Sequence, residues 1–397
     1  MQRLRARAAA GPVVTSQSLV DFCADKLATL EAQSQRRSPI QTRRLPNARV
    51  ERVVDVDGAP VVSVLVDFSS NDSLGLAHHP EVLAAATAAA SEGAGSGGSR
   101  LVTGSHPSLT TLEARIAALS QQPAAVVVGS GWLANIGAIP ALVGRDDVVV
   151  VDAFAHASLF AGARLSGARL VVAAHNDVDA VAAALVHERA RSSRSRILVV
   201  TESVFSMDGD RCSLSSLSEL CGRHDAWLLV DDAHGFLLGD AAGPADVVTG
   251  TLSKASGSYG GTIAGPRALI DLLFTRCRPL LFGTALPPSV IAAAAAAIDV
   301  ATREPDRRRR PLELARRLCG ALSLPPPSSH IVPIRIGAEA ATLALMAGLI
   351  HDGHLAVAIR PPTVPLGTSR LRVALSAVHS DDDVDAFADS LRRRWSR

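Results

Sequence analysis

Lysine is almost absent from this chain. Of the 40 basic residues among 397, only Lys26 and Lys254 are lysines, and all the others are arginines. An amine can form a Schiff base with a carbonyl group, whereas a guanidinium stays protonated and cannot. Because Lys254 stands between an apolar run and a glycine-rich stretch, we predict that an amine is needed there. The alternative is a surface lysine retained by chance.

Aromatic residues are also scarce, at 3% of the chain, and the 40 basic residues are nearly balanced by 38 acidic ones. The first value argues against base-stacking surfaces and the second against a polyanion-binding face, so no nucleic-acid partner is predicted. The number of cysteines is odd, and no two of them have Cys-x-x-Cys spacing. This pattern indicates reduced thiols rather than a disulfide or zinc framework. They are Cys23, Cys212, Cys221, Cys277 and Cys319.

No apolar run is long enough for a membrane span, since the alanine-rich stretch at 291–300 is too short. The first twenty residues contain Arg3, Arg5 and Arg7 and no acidic residue. Such a leader resembles an organellar transit peptide, but the general arginine and alanine content of the chain produces the same pattern. We predict a cytoplasmic protein without membrane contact, and organellar targeting is the alternative.

Apolar runs separated by helical stretches dominate the middle of the chain. Most of them are apolar throughout rather than alternating, which is typical of strands buried on both faces of a parallel sheet. They lie at 124–128, 148–151, 170–173, 197–200, 227–230 and 247–249. The predicted fold class is α/β, with a large domain whose mostly parallel sheet lies between helices and a smaller C-terminal α+β domain.

The length of the chain predicts more than one domain. Residues 1–66 are expected to form an arm and a hairpin, with a helix at 17–35, a basic connector at 36–52 and two strands around the Asp57-Gly58 turn. Residues 67–287 form the predicted large domain. Residues 288–397 form the small domain, with strands at 330–336, 355–359 and 370–375 and helices near 338–352 and 381–394.

The apolar run that begins at Trp227 ends in Asp231, Asp232 and His234. A buried strand delivers polar groups to a pocket at its carboxyl edge in this way. Three interpretations fit these residues: polar groups at a strand end, part of a metal site, or groups that tune a cofactor. A metal site needs further ligands, and only Asp232 lies at close spacing, so no metal is predicted.

The sequence GSGWLA at 129–134 follows one apolar run and opens a helical stretch, and Asp152 ends the next run. The spacing fits Gly-x-Gly-x-x-Ala, so a dinucleotide site is one interpretation. The same loop can hold a single phosphate, because free amides at a helix N-terminus bind any anion. The glycine-dense stretch at 93–104 lacks a preceding strand and is equally well explained as a flexible loop.

Pyridoxal 5′-phosphate (PLP) needs a carboxylate at its ring nitrogen, a donor at its phenolic oxygen, an amine and a phosphate site. The sequence supplies one of each: Asp231, His234, Lys254 and Gly131-Trp132. A nicotinamide enzyme gives no reason to retain the lysine, so PLP is the predicted cofactor.

Two further residues have competing interpretations. His156 lies at a predicted strand–helix junction, where a histidine is more often a helix cap or a satisfied core residue. RPPTVP at 360–365 has the spacing of a polyproline ligand. Flanking strands favour a rigid folded loop instead, with Arg360 available for a carboxylate.

Longer motifs follow one another from about Phe68 to the end of the chain. They are FSSNDSLGLAHHPEV, GSGGSRLVTG, HASL, HND, TESVFSMDGD, VDDAHG, GTLSKA and AIRPPTVPLGTSRLR. In this order they resemble the α-oxoamine synthases, which are PLP-dependent enzymes of fold type I. The last motif favours the branch that condenses L-alanine with a pimeloyl thioester over the branches that make aminoketobutyrate, aminolevulinate or ketosphinganine.

The resemblance implies a role for each matching position. The cofactor residues would be Lys254 as covalent attachment and proton carrier, Asp231 at the ring nitrogen, His234 and Ser206 at the phenolic oxygen, His156 on the ring face, Gly131, Trp132 and Thr251 at the phosphate, and Thr284 from the neighbouring subunit of a homodimer. The substrate residues would be Arg360 at the amino-acid carboxylate, Thr363 at the acyl group, and Asn71.

The implied reaction is a decarboxylative condensation of L-alanine with pimeloyl-CoA or a pimeloyl-carrier protein. Three alternatives remain: a relative that uses glycine or another acyl thioester, a non-catalytic partner subunit of the same fold, and a nicotinamide oxidoreductase. Departures from the family pattern concern the acyl donor. Ser73 replaces an aromatic residue, Leu109 replaces a histidine with His106 nearby, and the N-terminal arginine has only Gln41 or Arg43 as approximate counterparts.

Overall fold

The computed structural model describes residues 17–56, 59–239 and 243–395. The arginine-rich leader and the predicted Asp57-Gly58 turn lie outside these ranges. The described strands, in chain order, are β1 (Thr42–Leu45), β2 (Arg49–Val56), β3 (Ala59–Asp67), β4 (Ala124–Val128), β5 (Val148–Asp152), β6 (Arg169–Ala173), β7 (Ile197–Glu202), β8 (Trp227–Asp231), β9 (Val247–Thr251), β10 (Gly261–Gly265), β11 (Ile331–Gly337), β12 (His354–Leu355), β13 (Val357–Ile359) and β14 (Ser369–Ala374).

Helices alternate with the strands of the middle region. The described α-helices are α1 (Leu19–Ala32), α2 (Pro80–Ala89), α3 (Pro107–Leu119), α4 (Gly131–Leu142), α5 (Ala157–Ser166), α6 (Val178–Arg191), α7 (Leu214–Arg223), α8 (Arg267–Arg276), α9 (Arg278–Phe282), α10 (Pro288–Arg303), α11 (Pro305–Ala321), α12 (Glu339–His351) and α13 (Asp381–Arg394).

The central sheet has the strand order β4-β10-β9-β8-β7-β5-β6. Only β10 among them runs antiparallel to its neighbours, so the predicted mostly parallel α/β class is confirmed. The strand β10 was not predicted, because its sequence is short and contains two glycines. Gly261 is required there, since a Cβ atom would lie 2.0 Å from the Ser130 carbonyl oxygen at the start of α4.

The central sheet is buried on both faces, as its unbroken apolar strands predict. In β4, Val127 packs into a core with the helices around Leu112 and Leu185, while Val126 packs into a second core with those around Ile139. Successive side chains of a strand point to opposite faces, so one short run of valines contributes to both cores. The polar carboxyl ends of the strands are thereby held at one rigid edge.

A smaller antiparallel sheet with the order β11-β14-β13 packs against α11, α12 and α13 around a separate core. The antiparallel pair β2 and β3 confirms the predicted hairpin strands, and β12 adds to β3 in parallel. The predicted connector at 36–52 was wrong, because it contains β1 and the start of β2. The predicted strand at 355–359 is divided between β12 and β13. The division into three domains remains a prediction.

The first helix, α1, contributes no buried residue to this fold. Ser18 caps it by accepting a hydrogen bond of 3.1 Å from the Asp21 amide. Its apolar side chains face outward, with Leu19 at 77% and Val20 at 75% exposure. Across the described ranges, none of the helices has both the length and the apolarity needed to span a membrane.

Candidate active site

Three neighbouring strands bring polar residues to one edge of the central sheet. Asp231 ends β8, and it pairs in register with Glu202 at the end of β7 and with Thr249 in β9. All three side chains are buried. Buried polar groups need hydrogen-bond partners or a ligand, so this edge is where a site is expected.

Asp231 is fixed by its neighbours. Asn135 in α4 donates a 2.7 Å hydrogen bond to one carboxylate oxygen, and the Ala233 amide donates one of 3.0 Å to the other. Asn135 is itself held, because it accepts from the Thr249 hydroxyl at 2.6 Å and donates to Ser158 at 2.9 Å. Asn135 was not predicted from the sequence, although a lone amide in an apolar helix is a usable signal.

Lys254 lies within the same cluster. Its Nζ is 3.0 Å from Nε2 of His234, and the His234 ring is 6.2 Å from that of His330. Burial lowers the pKa of Lys254, although the Asp231 carboxylate opposes the shift. Burial lowers the pKa of His234 well below its usual range and that of His330 to about 3. The cluster therefore holds neutral imidazoles beside an amine that loses its proton more easily than usual.

The N-terminus of α4 forms the neighbouring part of the site. Gly131 and Trp132 are its first two residues, and the first amides of a helix have no acceptor within it. Gly131 packs on Thr251, since a Cβ atom there would lie 3.1 Å from the threonine Cβ. The Thr251 hydroxyl donates to the Gly260 carbonyl at 2.9 Å and lies 2.7 Å from the Ser253 hydroxyl. Amides and hydroxyls converging at a helix N-terminus suit a phosphate.

His156 caps α5, which was one of the two interpretations of its position. Its Nδ1 lies 2.7 Å from the Ser158 hydroxyl, and its ring meets that of Trp132 edge to face at 6.1 Å. Burial lowers the pKa of His156. The cap orients the ring toward the cluster, so the capping role and a role in the site are compatible.

Glu202 is a site residue that sequence reasoning missed, although it ends a strand just as Asp231 does. It accepts a 2.6 Å hydrogen bond from the His156 amide. Burial, with Asp231 nearby, raises the pKa of Glu202 well above its usual range. A carboxyl group that keeps its proton here avoids repulsion between two buried carboxylates.

Arg372 in β14 was also missed. Its Nε donates to the Ser206 carbonyl oxygen, and one terminal nitrogen, Nη2, is buried without a hydrogen-bond partner among the described residues. Burial lowers the pKa of Arg372 to about 10. A buried guanidinium nitrogen left unpaired is costly, and an anionic ligand would satisfy it.

A cavity of about 610 Å³ opens beside His156 and Ser206. Its walls are largely apolar, with Phe154, Phe160, Phe205, Met207, Pro362, Thr363, Val364 and Pro365 among the lining residues. Thr363, predicted for the acyl substrate, lies at this cavity. The 360–365 segment is a folded loop next to β13, as predicted.

The N-terminal arm reaches this loop. Arg37 donates a 3.1 Å hydrogen bond to the Thr363 hydroxyl, and Arg360 donates to the Ser34 carbonyl oxygen. Of the arginine counterparts considered above, Arg43 instead pairs with Glu51 at 2.6 Å on the hairpin. The structure therefore brings Arg37, rather than Gln41 or Arg43, to Thr363, which lines the cavity. It engages the Nη1 of Arg360 with the arm, while the Arg360 Nε is buried without a hydrogen-bond partner among the described residues.

Two further predicted residues make no hydrogen bond to the buried cluster in the described part of the chain. Thr284 is exposed and forms a bridge with Ser99 of the glycine-dense stretch. Asn71 has a buried Oδ1 atom without a hydrogen-bond partner within the described residues. His106 does not stand in for the histidine replaced by Leu109, because it caps α3 and lies 2.8 Å from Glu92.

The acidic residues of the dinucleotide and metal interpretations, Asp152 and Asp232, both have partners within the fold. Asp152, the acidic residue of the dinucleotide interpretation, is fully engaged with the amides of Phe154 and Asn176 and with His175. Asp232 accepts from the Ser203 hydroxyl at 2.5 Å, and burial raises its pKa to about 7. The described part of the chain contains no group of three or more side chains suited to a metal ion.

Comparison with known proteins gives a consistent assignment. The model of the family "Aminotransferase class I and II" matches residues 63–391. An 8-amino-7-oxononanoate synthase of Methylobacterium sp. (strain 4-46) is 51% identical, over 96% of this chain and 98% of the relative. A serine palmitoyltransferase structure from Sphingomonas wittichii superposes with a TM-score of 0.85 at 28% identity, over 95% of this chain and 99% of that one.

A second solved structure, SPT with a PLP internal aldimine, matches with a TM-score of 0.85 at 26% identity, over 95% of this chain and 99% of that one. The sequence relative covers nearly the full length of the chain, and the family model covers most of it. The chain therefore belongs to the aminotransferase class I and II family, within the group of 8-amino-7-oxononanoate synthases.

Proposed function

We propose that the chain catalyses the PLP-dependent condensation of L-alanine with a pimeloyl thioester, releasing carbon dioxide and the thiol to give 8-amino-7-oxononanoate for biotin synthesis. The observation that carries the proposal is the arrangement of Lys254, Asp231 and the α4 N-terminus around one strand edge. The family model and the half-identical synthase from Methylobacterium support the reaction class.

The residues of this edge fit PLP. The Gly131 and Trp132 amides and the Thr251 hydroxyl suit its phosphate, the carboxylate of Asp231 suits its protonated ring nitrogen, and Lys254 supplies the amine. The His156 ring is placed by its cap on α5. When bound, PLP supplies an electron sink for the carbanion of the amino acid.

The residues of the cluster have separate roles in the reaction. Burial lowers the pKa of Lys254, so its amine gives up a proton more easily than an exposed lysine does, which suits Nζ to take the alanine α-proton. His234, 3.0 Å away, holds that nitrogen in place. Two hydrogen bonds orient the Asp231 carboxylate, and burial raises the pKa of Glu202 next to it, which favours a neutral carboxyl group there.

Arg372 is proposed as the residue that binds the alanine carboxylate. Both Arg372 and Arg360 have a buried nitrogen without a hydrogen-bond partner among the described residues. In Arg372 it is the terminal Nη2, next to Ser206 of the cluster, whereas in Arg360 it is Nε, and the terminal Nη1 of Arg360 donates to the Ser34 carbonyl of the arm. An Arg–carboxylate pair is strong and directional when it is shielded from water. This proposal replaces Arg360 in the role that the family resemblance implied.

The cavity beside His156 is proposed to hold the acyl chain. Its apolar walls suit the methylene groups of a pimeloyl thioester, and Thr363 and Arg37 lie at its mouth. The carrier of the acyl chain, CoA or a carrier protein, would be recognised by the surface outside this cavity.

A homodimer is also proposed. The exposed apolar residues of α1, including Leu19, Val20 and Phe22, form a surface that a second copy would cover. Thr284 is exposed and free of the buried cluster, which suits a contribution to the neighbouring subunit's phosphate site. Light scattering of the purified protein is expected to give about twice the mass of one chain, and a single-chain mass would contradict the dimer.

The test of the function is product identification by mass spectrometry. The purified protein, loaded with PLP, is expected to form 8-amino-7-oxononanoate from L-alanine and pimeloyl-CoA, with free CoA in equal amount. Serine with palmitoyl-CoA, the pair suggested by the structural neighbours, is expected to give little product. Product from the second pair alone would overturn the proposal in favour of a serine palmitoyltransferase.

A further inference from the structure

His175, in the HND motif, joins two loops that follow neighbouring strands. Its Nδ1 lies 2.8 Å from Oδ1 of Asp152, which ends β5, and its Nε2 lies 2.9 Å from Oδ2 of Asp210, which lies beyond β7. The imidazole therefore bridges two carboxylates that belong to different loops. The motif has no part in the proposed chemistry.

Asn176 repeats the same connection. Its amide donates to Oδ2 of Asp152 at 2.8 Å, and its side chain donates to Oδ2 of Asp210 at 2.6 Å and to the Arg211 carbonyl at 3.0 Å. Asp177 caps the next helix, α6, by accepting from Ala180 at 2.9 Å. The three residues thus tie the two loops to each other and to a helix.

The ring of His175 also touches two aromatic residues. It stacks on Phe154 with 4.4 Å between ring centres, and it meets Phe205 edge to face at 4.4 Å. Both phenylalanines line the 610 Å³ cavity. One of them, Phe154, remains 47% exposed, so one part of its ring packs on His175 while another is available to a ligand.

The geometry points to His175 as a positioning residue for the acyl substrate: it fixes Phe154 and Phe205 as the apolar wall against which the acyl chain of the thioester packs. The inference rests on the proposed function, because the cavity is assigned to the acyl group there. His156 and Ser206 lie within two residues of Phe154 and Phe205, but their hydrogen bonds are made with Ser158, Glu202 and Arg372 rather than with His175. Loss of the contacts of His175 with Asp152, Asp210, Phe154 and Phe205 should therefore weaken acyl binding more than it changes cofactor chemistry.

Two substitutions separate the bridge from the ring. His175→Gln keeps a donor near Asp210 but removes the ring, and His175→Phe keeps a ring but removes both polar contacts. Each variant is expected to raise the KM for pimeloyl-CoA about tenfold. That factor corresponds to the free energy lost with one hydrogen bond to a charged group or with one aromatic contact in the cavity wall. The KM for L-alanine and the absorbance of bound PLP should change less than about twofold, as expected for uniform loss of acyl binding alone.

His187→Gln, on the exposed face of α6, is the matched control and should behave like the wild type. Calorimetric binding of a non-reactive thioether analogue of pimeloyl-CoA gives a second readout that does not need turnover. Weaker analogue binding by the two His175 variants supports the inference, even if the wild type condenses a different substrate pair. Unchanged binding by folded variants overturns it, and so does equal loss of analogue, alanine and PLP binding. Failure of the wild type to bind the analogue would also overturn it.

Discussion

The cofactor end of the site and its acyl entrance are built in different ways. Asp231 is buried at a strand end and fixed by Asn135 and a backbone amide, each within one rigid α/β layer. Thr363 is exposed on a loop, and its partner Arg37 belongs to an arm 326 positions away in the chain. Burial shifts the pKa values of the residues at the cofactor end. At the acyl entrance the contacting side chains are exposed, so water competes for their hydrogen bonds. The first end should therefore respond strongly to single substitutions and the second weakly.

The largest effect is expected for Lys254→Ala. Removing the amine deletes both the covalent attachment and the proton carrier, so activity should fall by at least about 10⁴-fold. The yellow absorbance band of the bound cofactor should disappear. Lys26→Ala is the matched control, because Lys26 is exposed on α1 and its Nζ lies over the Phe22 ring of the same helix. An active, yellow Lys254→Ala protein would contradict the assignment.

Asp231→Asn should come next. The substitution keeps the shape and removes the charge that holds the ring nitrogen protonated, so kcat should fall by about 10³-fold, a typical cost of one electrostatic group in a buried site. The neighbouring Asp232→Asn is the comparison. Its carboxyl pKa is about 7 and its partner is Ser203, so a neutral amide should cost less than about tenfold. Equal losses from the two substitutions would remove the distinction between them.

Arg372→Gln separates the two arginines proposed for the alanine carboxylate. Loss of a shielded Arg–carboxylate pair should raise the KM for L-alanine about 100-fold. Arg360→Gln should change it less than about threefold, because Arg360 is engaged with Ser34. Steady-state kinetics with saturating pimeloyl-CoA measures both. The reverse pattern would restore the role that the family resemblance gave to Arg360.

The buried end should also be sensitive to acid. The pKa of His330 is lowered to about 3, so the folded chain keeps this ring neutral while the unfolded chain takes up a proton below pH 6.5. Stability is therefore lost as the pH falls through 6.5, by about 2 kcal/mol between pH 7 and pH 5. Urea unfolding at pH 7 and at pH 5 measures this loss of stability. His330→Asn should reduce the difference in unfolding free energy between the two pH values by about the same 2 kcal/mol. Exposed His187→Gln should leave the difference unchanged.

The smallest effect is expected at the entrance. Arg37→Gln removes one exposed hydrogen bond to Thr363 and a positive charge, so the KM for pimeloyl-CoA should rise about threefold to fivefold with alanine kinetics unchanged. Arg43→Gln is the matched control, since Arg43 pairs with Glu51 on the hairpin. A 100-fold effect of Arg37→Gln would show that the entrance is as tightly built as the cofactor end.

The same contrast explains what the sequence could predict. Asp231 and the Gly131 loop were predictable because a buried strand and a helix N-terminus each leave a local pattern. Asn135 and Glu202 left similar local signals that were not used. The unpaired Nη2 of Arg372 and the approach of Arg37 to Thr363 depend on packing between distant segments, which no local pattern records. The strand β10 was missed because it is short and contains two glycines, and one of them, Gly261, is required by the close approach of Ser130 rather than by strand propensity.

The scarcity of lysine makes one measurement especially direct. The PLP-loaded protein is reduced with borohydride, digested and analysed by mass spectrometry, so that any lysine linked to the cofactor keeps a stable pyridoxyl-phosphate adduct. Only Lys254 and Lys26 can carry it, and each lies in its own peptide. The adduct is expected on the Lys254 peptide alone. An adduct on Lys26, or on neither lysine, would contradict the assignment of the strand edge around Asp231 as the cofactor site.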